Sequence, residues 1–260
     1  MGFISPAEMK EISLADSWYW LLLVAVVSYF LGCINFAVII SKFLHKDVRK
    51  IGSGNPGAMN MSREFGLKVG FINFLCDCLK GGIPVIVVYF IFRDYRFTGT
   101  EVYVGDLARY LAGACAVIGH IYPVTMKFKG GKGIASTCGA FWFGLGCESA
   151  WYFLLVLGGL FVVTLFIFIT EMGSMGSLLG VTAFSIWQGI IFFDRYSVPF
   201  LNGSDSVVLG YISFIFMLLI LLNFLTWFAH RKNLVRLFAG EEHRTSVKKL
   251  RGGKRGIDNM

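Results

Sequence analysis

Residues 119–139 read Gly119-His120-Ile121-Tyr122-Pro123-Val124-Thr125-Met126-Lys127-Phe128-Lys129-Gly130-Gly131-Lys132-Gly133-Ile134-Ala135-Ser136-Thr137-Cys138-Gly139. Apolar segments flank this stretch, and at its centre Lys127, Lys129 and Lys132 are interleaved with Gly130, Gly131 and Gly133. Glycine lets backbone N–H groups converge on an anion, and lysine supplies the opposite charge. Two readings fit the stretch by itself: a basic turn that holds one side of a membrane helix pair, or a cradle for phosphate. The rest of the chain decides between them.

Of 260 residues, 56% are hydrophobic and only 15% charged, and 26 are phenylalanine. A soluble domain carries nearer a quarter charged residues. The chain reads as one all-α integral membrane domain over residues 1–260, with 244–260 a basic tail. Its formal charge of +8 is gathered into a few loops, where it serves orientation and anionic groups and gives no sign of a nucleic-acid partner. The six cysteines lie scattered in apolar segments without a CxxC pair, and no His clusters with them at metal-ligand spacing, so neither a disulfide framework nor a metal is expected. Glu8, Lys10, Glu11 and Asp16 replace the basic start of a cleavable signal.

A bilayer core takes about 20 apolar residues per helix. Seven spans are expected, at 18–43, 67–92, 106–126, a short one at 134–146, 150–169, 176–193 and 207–229. Seven spans place loops one, three and five and the C-terminal tail on one side. That side holds Lys42, Lys46, Arg49, Lys50, Arg63 and Lys68, the three central lysines, and Arg231, Lys232, Arg236 and the tail. The other side holds Lys10, Arg93, Arg96 and Arg195. The imbalance expects the N-terminus outside and the C-terminus in the cytoplasm.

Two more stretches fall on the basic side. The first loop contains Gly52-Ser53-Gly54-Asn55-Pro56-Gly57-Ala58-Met59-Asn60-Met61-Ser62-Arg63. It is a structured turn with hydrogen-bond donors and an arginine able to grip two phosphate oxygens, and it lacks Walker spacing. The last span ends in His230-Arg231-Lys232-Asn233-Leu234-Val235-Arg236-Leu237-Phe238-Ala239-Gly240-Glu241-Glu242. If that helix continues, His230 and Asn233 share a face. Within the second span, Asn73, Asp77 and Lys80 form one stripe. Charge in hydrocarbon is costly, so Asp77 and Lys80 are expected to pair with each other or with a neighbouring helix, with Asn35 as an inner partner.

Together the three stretches resemble the motifs of the PlsY family, bacterial acyl-phosphate-dependent glycerol-3-phosphate acyltransferases. The resemblance rests on Ser53 to Arg63, on Gly119 to Ala135 and on His230 to Glu242, in the family's order, and it covers nearly the whole chain. Met59 stands where Thr is frequent, and Ser136 keeps a hydroxyl where Thr is usual. The resemblance implies acyl transfer from acyl phosphate to the 1-hydroxyl of glycerol 3-phosphate, giving lysophosphatidic acid and phosphate at the cytoplasmic face of the bacterial inner membrane. It implies no cofactor, and as functional partner a soluble phosphate acyltransferase that makes the donor.

The implied catalytic set is His230, Asn233, Ser53, Arg63 and Lys132. Substrate contacts fall to Gly54, Asn55, Gly57, Asn60, Lys129, Gly130, Gly131, Gly133 and Ser136. Lys132 and the amides of Gly130, Gly131 and Gly133 are expected to hold a phosphate, with Arg63 and Ser53 gripping another or stabilising the developing carbonyl charge. Asn55 and Asn60 shape the first loop, Glu242 anchors the tail, and His120 and Pro123 set the approach to the lysine–glycine loop. No His is followed five residues later by Asp, so the His-x4-Asp dyad of the other large acyltransferase family is missing. That leaves two bases, a substrate phosphate oxygen or His230. The rival reading is a membrane transporter for a phosphorylated metabolite, although no inverted repeat is visible.

Overall fold

The computed structural model describes residues 9–204 and 208–241. Eleven α-helices dominate the described residues. They are α1 (Leu14–Gly32), α2 (Phe36–Phe43), α3 (Ala58–Phe65), α4 (Leu67–Phe92), α5 (Val104–Ile121), α6 (Ile134–Glu148), α7 (Ala150–Thr170), α8 (Gly173–Phe192), α9 (Val198–Leu201), α10 (Leu209–Ala229) and α11 (Arg231–Phe238). Two short parallel strands, β1 (Lys10–Ile12) and β2 (Tyr95–Phe97), pair at one end. Among the described residues, six segments are helical, long and apolar enough to cross a bilayer. The expected short fourth span is α6, whose 15 residues reach only about 22 Å at 1.5 Å per residue.

Two features differ from the sequence expectation. The first apolar run is not one helix, because it breaks between Gly32 and Phe36 and Asn35 caps the new start by accepting from the Val38 amide at 3.0 Å. The polar loop after it is largely folded, into a one-turn 3-10 helix at Val48–Lys50 and α3. The last span stops at Ala229 as expected, and His230 separates it from α11.

Helix α5 is buried along most of its length and forms the axis of the bundle. Helix α7 buries only Val156 and turns its apolar surface outward, as a lipid-facing helix does. Helices α4 and α6 cross where Gly81 meets the Ser136 carbonyl and Gly139 meets the Cys78 carbonyl. Small residues at the crossing let the two backbones touch, the usual basis of helix association in hydrocarbon.

Interhelical contacts sort the chain into two ends. At one end the Tyr29 hydroxyl donates to the Tyr122 carbonyl, Lys80 to the Ile34 carbonyl, and Asn233 to Ser174. The loops that carry all three motif stretches lie at this end. At the other end β1 pairs with β2, and Asp106, Arg109, Glu148 and the partly exposed Arg195 form a four-charge network. In it Asp106 meets Arg109 at 2.6 Å and Arg195 at 2.5 Å, and Glu148 bridges both arginines. Gln188 donates to Glu148 at 2.9 Å and the Tyr196 hydroxyl to Asp106 at 2.6 Å. Two cations against two anions leave no net charge in a medium that tolerates none.

The α4–α6 crossing yields a stability test. An ideal Cβ at Gly139 would lie 2.0 Å from the Cys78 carbonyl oxygen, whereas one at Gly158 meets nothing within 4 Å. Gly139→Leu is therefore expected to destabilise the detergent-solubilised protein by about 3 kcal/mol or to abolish folding, and Gly158→Leu to change it little. Thermal unfolding of both variants checks this.

Candidate active site

The lysine–glycine loop begins where α5 ends. Pro123 starts a one-turn 3-10 helix at Val124–Met126, and Lys127 and Phe128 then adopt left-handed backbone angles, φ 52° and 60°. Such angles are uncommon for residues with side chains and gather at functional loops. Here backbone bonds hold them, with the Phe128 amide on the Pro123 carbonyl at 2.9 Å and the Lys129 amide on Met126 at 3.1 Å. The Gly130 amide donates to the Ile121 carbonyl at 3.0 Å and that of Gly131 to the His120 carbonyl at 3.2 Å.

These bonds correct one expectation: the amides of Gly130 and Gly131 are engaged inside the loop and do not point at a ligand. The open donors lie one step further on. Gly133, φ 82°, is the N-cap of α6 and offers no side-chain cap. The N–H groups of Ile134, Ala135 and Ser136 therefore have no intrahelical acceptor, and the helix dipole favours an anion there. The glycines serve close packing instead. A Cβ at Gly131 would sit 2.2 Å from His120 Nε2, and one at Gly130 2.0 Å from the His120 carbonyl oxygen. The loop thus lies directly on the buried His120.

Lys132 is half-buried beside this helix start, while Lys127 and Lys129 face outward. The Lys132 charge reaches His230, the residue between α10 and α11. His230 is 4% exposed, and its Nδ1 lies 2.9 Å from the Thr226 carbonyl. A carbonyl only accepts, so Nδ1 carries the proton and Nε2 keeps its lone pair. One turn earlier, the Thr226 and Thr137 hydroxyls meet at 3.1 Å and tie α10 to α6. Burial, helped by the Lys132 charge, pulls the His230 pKa down from 6.5 to about 4, against the Thr226 hydrogen bond that raises it.

Asn233 does not pair with the His230 ring. Its amide donates to the Ser174 hydroxyl at 2.6 Å, and its carbonyl accepts from Arg236 at 2.7 Å. It secures α11 against the start of α8 and holds Arg236, which stays half-buried. Glu242 lies outside the described residues.

The first stretch is a loop wound around Asn60. This buried side chain accepts from the Ser53 amide at 3.0 Å and donates to the Val48 and Ile51 carbonyls at 3.2 and 3.1 Å. All its hydrogen bonds hold the loop, as its shaping role requires. Gly54 takes a φ of 69°, and Gly57 caps α3 without a side-chain bond. Ser53 is exposed, and its hydroxyl lies 3.5 Å from the Asn55 amide. In the preceding segment Arg49 is bound to Asp47 through two hydrogen bonds. Arg63 differs: it is half-buried, has no hydrogen-bond or salt-bridge partner among the described residues, and its burial disfavours the charge that Glu64 only partly supports. An arginine so placed is ready for an anionic ligand.

The structure thus sets Lys132, the start of α6 and His230 against one another. It gathers the first stretch at the same end of the bundle, where α3 packs Ser62 against Gly70 of α4. Sequence reasoning passed over Thr137 and Thr226; the hint was the four-residue step from Thr226 to His230, one helical turn.

A family model described as glycerol-3-phosphate acyltransferase matches residues 22–240. A glycerol-3-phosphate acyltransferase of Mycoplasma pneumoniae is 36% identical over 231 residues, covering 85% of this chain and 92% of its own. That of Aquifex aeolicus is 32% identical over 229 residues, covering 86% and 98%. The crystal structure of PlsY, an integral membrane glycerol 3-phosphate acyltransferase, in its glycerol 3-phosphate form superposes with a TM-score of 0.66 at 28% identity, covering 89% of this chain and 98% of that one.

The His230 environment carries a pH consequence. Its folded pKa lies below its ordinary value, so the stability that the neutral ring contributes is complete above about pH 6.5 and is lost as pH falls toward about 4. Histidine NMR of the ligand-free protein, assigned by the signal missing in His230→Gln, is expected to show this ring titrating below pH 5. Titration near 6.5 would contradict the buried geometry.

Proposed function

Because the chain belongs to the glycerol-3-phosphate acyltransferase family, we propose that it transfers a fatty acyl group from acyl phosphate to the 1-hydroxyl of glycerol 3-phosphate, releasing phosphate and lysophosphatidic acid as the first step of phospholipid synthesis. The observation that carries this reading is the meeting of Lys132 and His230 at the open N-terminus of α6. Lys132 with the first-turn amides of α6 takes one phosphate, and Arg63 with Ser53 takes the other. The surrounding apolar helices receive the donor's hydrocarbon tail. We place the site at the cytoplasmic face of a bacterial inner membrane, with seven crossings counting α6, on the strength of the basic residues gathered at that end. A soluble phosphate acyltransferase supplies the donor.

In the reaction the hydroxyl oxygen attacks the acyl carbon, and the bond from that carbon to the phosphate oxygen breaks. The hydroxyl proton needs an acceptor. The His230 ring, at about 4, is a weaker base than a phosphate, whose second pKa is about 6. The departing phosphate gains charge as its bond to carbon breaks, which strengthens it further as the acceptor. His230 then orients the hydroxyl through the Nε2 lone pair, and catalysis rests on positioning and charge neutralisation.

Purified protein supplied with palmitoyl phosphate and glycerol 3-phosphate, without metal or thioester, is expected to release phosphate only when both are present. No release would overturn the reading in favour of a transporter of phosphorylated metabolites. Lys132→Met and Arg63→Ala are each expected to lower kcat/KM on the order of 100-fold. In single-turnover experiments His230→Gln is expected to slow the reaction without removing the limb of the pH–rate profile that belongs to the phosphate. Loss of that limb would make His230 the base.

A further inference from the structure

Beneath the site lies a buried polar cluster that the chemistry above leaves unused. Asp77 and Lys80, 2% and 6% exposed, sit in the middle of the apolar α4. Their side chains pair at 2.9 Å, and Asn73 donates to the second Asp77 oxygen at 3.0 Å. On one side, His120 Nδ1 lies 3.6 Å from Asp77, and the opposite edge of that ring is the surface on which Gly131 rests. On the other, Lys80 Nζ donates to the Ile34 carbonyl at 2.6 Å and lies over the ring of Phe36, the first residue of α2.

Ile34 lies within the break between α1 and α2. A helix that stops leaves carbonyls without intrahelical donors, and within an apolar bundle each must find another. Lys80 satisfies Ile34, and the Thr125 hydroxyl, from the lysine–glycine loop, donates to Cys33 at 3.3 Å. The first motif stretch follows directly on α2. The break is therefore the stem of one anion-binding stretch, and its exposed carbonyls are held by the cluster that floors the other. A hydrophobic residue at position 80 could fill the volume but could not bind that carbonyl.

We propose that Lys80, held in place by Asp77, is a positioning residue for the acyl transfer: it fixes the spacing between the Ser53–Arg63 stretch and the lysine–glycine loop by joining the α1–α2 break to the His120 floor. The inference rests on the reading of these stretches as two phosphate grips. Spacing matters only when both substrates are bound together, which separates this role from simple packing.

The test compares wild type, Lys80→Met and Lys80→Arg. Spin labels at Ser53→Cys and Lys129→Cys, in a background without the six native cysteines, report the distance between the stretches by pulsed EPR. Lys80→Met is expected to shift or broaden the distribution by several Å, and Lys80→Arg, which keeps charge and donors, to restore it. In the unlabelled enzymes, Lys80→Met is expected to raise the KM of each substrate at saturating partner at least tenfold, while glycerol 3-phosphate alone still raises the thermal midpoint as in wild type. Unchanged distances, or a lowered midpoint with unchanged KM values, would overturn the proposal. If wild type itself shows no turnover, the assigned reaction fails, and the EPR distances alone decide whether Lys80 spaces the two stretches.

Discussion

Inside a helical bundle bathed in hydrocarbon, a cation has to meet a carboxylate or a carbonyl, and a carbonyl freed from its helix has to meet a donor. The contact between Lys80 and Ile34 answers both demands at once, with Asp77 supplying the opposite charge. It permits α1 to break between Gly32 and Phe36 instead of running on as one helix. From that break the chain turns into α2 and α3 and brings Arg63 to the end of the bundle that carries the lysine–glycine loop. At the far end the same physics joins α5, α6 and the turn that follows α8 through Asp106, Arg109, Glu148 and Arg195. The short α6 is thus held at its last turn by charge and at its first by Thr137 on Thr226.

The lysine–glycine loop divides its labour accordingly. Gly130 and Gly131 allow the chain to lie on His120, and their amides close the loop. Gly133 turns the chain into α6, whose first-turn amides stay open beside Lys132. An anion placed there meets a helix dipole, an ammonium and, across from it, a neutral imidazole that can accept a hydrogen bond. The dipole and the ammonium favour negative charge that develops on oxygen, as the proposed acyl transfer requires.

Much of this was legible in the sequence. Long apolar runs gave the spanning helices, and residues 53–63, 119–139 and 230–242 stood out because glycine, asparagine and basic residues cluster there against a hydrocarbon-rich background. The pairing of Asp77 with Lys80 followed from their three-residue spacing on α4. Other features depend on partners far along the chain. The α1–α2 break lies inside an unbroken apolar run, and the donors that make it tolerable are Lys80 and Thr125. Arg109 meets Glu148 across 39 residues, a separation no periodicity encodes. His230 stops α10 although local sequence would let the helix continue. The roles given to the Gly130 and Gly131 amides were misplaced because backbone hydrogen bonding within an irregular loop has no sequence signature.

The account stands on three separated stretches reaching the same side of the bilayer. Side-specific labelling tests this directly. Single cysteines at positions 53, 129 and 232, and one at position 98 near β2, are placed in a cysteine-free background and exposed to a membrane-impermeant maleimide in right-side-out and inverted vesicles. The account expects the first three to react only in inverted vesicles and the fourth only in right-side-out ones. Reaction of positions 53, 129 and 232 from different sides would contradict it.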